Sequence, residues 1–268
     1  METSFLQLLI FGIIVAAANV AGGLILFPTK IQRNYKKLLK YILALSAGFM
    51  LSVTFIELLP KTVKLWESPE NSPHAGENYY VPMALLLAGY LLTQFFEHTI
   101  APHFHLGEEV HSSPHIKPAS AYTAIAGLMI HTFFDGVSIS AAAMIDSRVG
   151  ILVFIAVFLH KFPEGFTIGS MMLAAGKGLR EVLITTSVVG LTTLIGLLAF
   201  YFIGSRIGFS LAYALPLACG VTLYVAASDL IPEVNHHAGK RPLVSLSVFA
   251  GVAVFFALHF ALHSVLER

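Results

Sequence analysis

The 268 residues include one cysteine, Cys219, set inside an apolar run. That excludes a disulfide framework and a thiolate cluster for a soft metal, and leaves Cys219 as a small buried side chain. Charge is equally scarce: Asp, Glu, Lys and Arg make up 12% of the chain, well below the share found in soluble globular domains. The net charge is +1 and no basic cluster is interleaved with aromatics, so nothing points to nucleic acid and none is expected as a partner. Neither His-Glu-x-x-His nor Gly-x-Ser-x-Gly occurs, which removes two common hydrolase signatures. What is abundant is apolar: 56% hydrophobic residues and a mean hydropathy of +0.79. This is the composition of a polytopic membrane protein whose solvent is the lipid bilayer.

A helix needs about 20 apolar residues to cross the hydrocarbon layer. Eight runs qualify, near 5–27, 38–60, 81–100, 121–145, 149–173, 182–204, 207–231 and 243–266. The expected fold is therefore all-α, with eight transmembrane helices in a single transporter-sized domain over 1–268. Met1-Glu-Thr-Ser lacks the positive leader of a signal peptide, so the first run is expected to be a retained helix. Lysine and arginine set the orientation. The segments joining helices one to two, three to four, five to six and seven to eight hold ten of them, against five on the other side. That predicts a multi-pass protein of the cell membrane with both termini outside.

The segment 98–117 is then a His-rich cytoplasmic loop, in which His103 and His105 are candidate weak metal ligands, broken by Pro102 and Pro114. The outer segment 61–80, with Glu67, Pro69, Glu70, Pro73 and Glu77, reads as a disordered spacer.

A repeat is visible. Gly48, Leu51, Val53, Glu57, Leu58 and Pro60 in the second helix match Gly220, Leu223, Val225, Asp229, Leu230 and Pro232 in the seventh. Helices five apart cross in opposite directions, so the repeat is inverted: helices 1–3 and 6–8 form related halves around a central pair, 4 and 5. Inverted repeats with an ion site between them are a transporter signature. The same register sets Glu57 at the outer mouth and Asp229 at the inner one, as candidate gate carboxylates.

The central pair carries the chemistry. His131-Thr-Phe-Phe-Asp135-Gly136 and His160-Lys-Phe-Pro-Glu164-Gly165 each separate an imidazole from a carboxylate by four residues. On a helix that spacing stacks both groups on one face. All four lie near mid-bilayer, where an isolated charge costs at least about 2.5–3.5 kcal/mol. A divalent cation held by His131, Asp135, His160 and Glu164 relieves repulsion and desolvation together. Imidazole with carboxylate suits zinc first, and also iron(II), manganese, cobalt or cadmium, rather than magnesium or calcium. Pro163 removes the amide that would serve the carbonyl of Leu159, which predicts a break in the fifth helix beside the site. Lys161 either pairs with Asp135 or Glu164 or repels the cation.

These paired sextets, eight helices and a His-rich third loop resemble the ZIP (Zrt-/Irt-like) family of divalent-metal transporters, over the whole chain. The resemblance implies that His131, Asp135, His160 and Glu164 ligate the transported ion, that metal moves toward the cytoplasm, and that Met50 supplies a further soft ligand. It leaves a homodimer open. Some members hold two metals, using an Asn after the first His, a carboxylate or Asn at the matching place in the fifth helix, and a Glu in the sixth. Here Thr132 and Lys161 stand instead, and 182–204 holds no carboxylate, which points to one metal. Two other classes remain: an intramembrane metal-dependent enzyme, in which a bound cation activates water, and a metal sensor. His259 and His263 are either an outer collecting pair or interfacial residues.

Overall fold

The computed structural model describes residues 5–27, 29–67, 79–100, 118–204, 211–238 and 241–266. Among them eight helices are long and apolar enough to cross a membrane: α1 (Phe5–Leu24), α2 (Leu38–Glu67), α3 (Tyr80–Thr99), α4 (Pro118–Ile145), α5 (Ser147–Ala174), α6 (Leu179–Ile203), α7 (Leu211–Asn235) and α8 (Pro242–Ser264). The described residues contain no strand. Backbone groups satisfied within each helix are what a bilayer demands.

Helix packing obeys an approximate two-fold. α1 lies on α5 and α6 on α4; α3 lies on α7 and α8 on α2; α2 meets α5 and α7 meets α4. Exchanging one for six, two for seven, three for eight and four for five maps this set onto itself, which is the inverted repeat read from Gly48 and Gly220. Burial follows the same rule, with 67% of the apolar window covered in both α2 and α7 and 17% in both α3 and α8. The last two are therefore peripheral.

Lipid provides no hydrophobic drive between helices, so close contact depends on small residues. A Cβ on Gly48 would overlap the Val248 carbonyl, and one on Gly220 would overlap the Leu86 carbonyl. Gly136 and Gly165 do the same in the centre, seating the carbonyls of Thr193 and Asn19. Those two contacts fix the depth at which α6 and α1 meet the paired sextets.

Two expectations are corrected. α2 does not end near residue 60 but continues as helix through Glu67, so the outer connection starts later than residue 61. The cause is Trp66, which is buried, donates its indole N–H to the Ala212 carbonyl at 2.8 Å and packs edge-on against Tyr213. α5 runs unbroken from Ser147 to Ala174 with Pro163 inside it. Widened π-helical turns occur instead at Val53–Leu58 and Val225–Leu230, in register within the repeat. Each lies just ahead of a proline, Pro60 or Pro232, whose ring and missing N–H are accommodated by the extra residue in the turn. The third helix runs past His98 to Ile100, as the apolar run near 81–100 predicts. The His-rich remainder, with His103 and His105, lies outside the described residues.

Candidate metal centre

His131 and His160 each stand halfway along a helix of 28 residues. Because α4 and α5 pack together, the two i,i+4 faces meet: one ligand atom from each of His131, Asp135, His160 and Glu164 falls within a 4.8 Å cluster. All four side chains are buried. Asp135 Oδ2 lies 3.3 Å from His131 Nε2 and 3.2 Å from His160 Nε2. Glu164 Oε2 lies 3.9 Å from both imidazole nitrogens.

The outer nitrogens of the rings decide which atoms face inward. His160 Nδ1 is 3.1 Å from the Ala156 carbonyl, which accepts only if Nδ1 carries the proton. His131 Nδ1 is 3.3 Å from Glu97 Oε1, with the same consequence. Both Nε2 atoms thereby face Asp135, and His131 Nε2 is buried with no hydrogen-bond partner. A neutral imidazole whose Nε2 faces a carboxylate oxygen needs a positive charge between them. Ligands held about 2.0–2.2 Å from a tetrahedral zinc stand about 3.3–3.6 Å apart, so the His–Asp edges are close to that spacing. An imidazole braced by a carboxylate or carbonyl on its far side is the usual outer support of a metal ligand.

Lys161 occupies the remaining side of the cluster. Its ammonium is fully buried, 2.8 Å from Asp135 Oδ2 and 2.5 Å from Glu164 Oε2, and donates to Thr132 Oγ1 at 3.4 Å. Of the two roles the sequence allowed it, the structure has it paired with both carboxylates at once.

Two residues in the centre were not singled out from sequence. Asn19 of α1 donates through Nδ2 to Glu164 Oε1 at 2.6 Å. Glu97 of α3 joins His131 and Asp229 in a second group of ligand atoms within 4.8 Å. Their signals were a carboxamide in the apolar first run and, for Glu97, the match of the third helix to the eighth. Gly89 and Gly251 set that match, each seating a carbonyl of the facing helix, and it aligns Glu97 with His259.

The other predicted positions are dispersed. Asp229, half-buried, sits beside Glu97 and His131 rather than at the end of α7, which continues to Asn235. Glu57 is buried and meets His259 Nδ1 at 2.5 Å, so this histidine pairs with a carboxylate of α2. His263 Nδ1 lies 2.9 Å from Arg148 Nη1. Met50 is fully buried in the apolar core with Phe49 and Val53.

The family model described as ZIP Zinc transporter matches residues 4–121 and 105–259. Zinc transporter ZIP10 of Mus musculus is 30% identical over 121 residues, 45% of this chain and 14% of that protein. Zinc transporter ZIP9 of Xenopus tropicalis is 27% identical over 174 residues, 60% of this chain and 55% of that protein. Zinc transporter foi of Drosophila melanogaster is 26% identical over 152 residues, 56% of this chain and 21% of that protein. The matched region thus spans from about a seventh to just over half the length of these curated relatives. With the family model covering nearly the whole chain and eight helices able to span a bilayer, this is a multi-pass membrane protein that belongs to the ZIP zinc transporter family.

Proposed function

We propose that the chain carries a divalent transition-metal ion, zinc foremost, across the cell membrane into the cytoplasm, with His131, Asp135, His160 and Glu164 as the transport site. One observation carries this reading: four ligand atoms from two adjacent helices converge halfway along both, with two imidazole Nε2 atoms facing one carboxylate oxygen. The zinc assignment follows from that nitrogen and oxygen donor set and from relatives named as zinc transporters. Iron(II), manganese, cobalt and cadmium fit the same donors less selectively.

The ten-to-five distribution of basic residues supports both termini outside. In that orientation Glu57 with His259 lines the outer approach, and Asp229 with Glu97 lines the inner one, next to His131. The 98–117 loop receives released metal through His103 and His105. Lys161 neutralises part of the centre without metal and leaves room for one cation.

The test is zinc flux into proteoliposomes with a trapped indicator, comparing wild type, His160→Ala and a manganese and iron(II) panel. Flux that needs His160 is the expected result. Zinc binding without flux under every imposed gradient would refute transport and favour a sensor.

A further inference from the structure

The two oxygens of Glu164 are held differently. Oε2 meets the Lys161 ammonium and faces both imidazoles. Oε1 accepts the Asn19 amide at 2.6 Å and, at a longer 3.4 Å, the Thr132 hydroxyl. Asn19 is fully buried, and Gly165 admits its backbone because any Cβ there would overlap the Asn19 carbonyl. Its own Oδ1 has no hydrogen-bond partner. A buried orphan acceptor is a cost, so the amide is oriented by its donor, toward Glu164.

The two-fold sharpens the point. Thr193 of α6 takes the place of Asn19 on the other side, its carbonyl seated on Gly136 next to Asp135. The Thr193 hydroxyl makes no hydrogen bond. Glu164 therefore carries a restraint on one oxygen from the neighbouring helix that Asp135 does not.

We propose that Asn19 is a positioning and specificity-determining residue: its neutral amide, which an arriving cation does not repel, keeps Oε1 occupied, whereas the cation displaces the Lys161 ammonium from Oε2, so Glu164 ligates through Oε2 alone and the centre stays at the low coordination number that zinc accepts. This rests on the metal-site reading above. Zinc is satisfied by four nitrogen and oxygen ligands, whereas manganese favours six-coordinate, oxygen-rich surroundings. A carboxylate free to chelate through both oxygens shifts the balance toward manganese. A hydrogen bond to a charged group is worth roughly tenfold or more in an equilibrium, which sets the expected size.

The experiment measures zinc and manganese binding by equilibrium competition on the full chain in detergent, for wild type, Asn19→Leu, Asn19→Ala and Asn19→Ser, with His160→Ala as the site control. Zinc K-edge absorption supplies the coordination number independently of transport. In Asn19→Leu and Asn19→Ala the zinc-over-manganese ratio is expected to fall about tenfold and the zinc shell to gain a neighbour. Asn19→Ser, which retains a shorter donor, is expected to fall between wild type and Asn19→Ala. An unchanged ratio and shell in any Asn19 variant without the donor that still binds zinc through His160 overturns the proposal. Zinc binding indifferent to His160→Ala refutes the metal-site reading instead, so the two failures are separable.

Discussion

Replacing Lys161 with methionine puts the electrostatics of the centre to a quantitative test. The ammonium is fully buried, 2.8 Å from Asp135 and 2.5 Å from Glu164, and those carboxylates are themselves 1% and 3% exposed. Methionine keeps much of the length and packing of the side chain and removes the charge. Deleting one partner of a buried ion pair costs about 3–5 kcal/mol, because the other is left charged and unpaired. In the metal-free protein that loss is expected in full. Zinc replaces the missing positive charge, so at saturation most of the stability returns. The same compensation tightens the apparent zinc affinity by up to about two to three orders of magnitude, at about 1.4 kcal/mol per tenfold, and slows release. Thermal unfolding in detergent, followed by the fluorescence of Trp66 with chelator and with excess zinc, separates the two states. An equal loss of stability in both conditions would refute the argument, as would no loss with chelator.

Three further outcomes follow from the geometry. A variant lacking residues 101–117 is expected to retain about one zinc per chain in equilibrium dialysis, because Lys161 holds the flank of both carboxylates; two retained equivalents would contradict this. Glu57→Ala is expected to raise the zinc concentration for half-maximal flux more than it lowers maximal flux, and His259→Ala to share the effect through their mutual contact; an unchanged concentration dependence in both would assign the pair to structure. Asp146, in the turn between α4 and α5, is pushed up by partial burial but held below the usual carboxylate range by the Lys61 ammonium at 2.8 Å and by the Arg148 backbone N–H and guanidinium. A depressed carboxyl stabilises the fold above its unfolded pKa, near 3.9, and that contribution disappears as pH falls through the lower folded value. Asp146→Asn should therefore lower thermal stability at pH 7 and flatten the acid limb below about pH 4; a parallel acid limb would refute the linkage.

The sequence alone determined what depends on spacing along one helix. Apolar runs of about 20 residues are set by bilayer thickness, so all eight spans were legible, to within a few residues at most ends. His131 with Asp135 and His160 with Glu164 were legible because four residues is one helical turn, whatever the helix packs against. The inverted repeat was legible through Gly48 and Gly220, since backbones cross closely where no side chain intervenes.

Tertiary structure decided everything that depends on the relative depth and rotation of different helices, which no single run encodes. That α1 seats Asn19 on Gly165 brings its amide to Glu164. That α3 lies against α7 and α4 brings Glu97 to His131 and Asp229. Lys161 had two electrostatically reasonable roles, and only the position of Asp135 across the helix interface chose between them. Trp66 extended α2 past its expected end because its N–H found a carbonyl on α7, a partner 146 residues away in the chain. Local periodicity fixes which side chains share a face; the packing of faces fixes which oxygen of Glu164 is held by the neighbouring helix and which is left toward the centre.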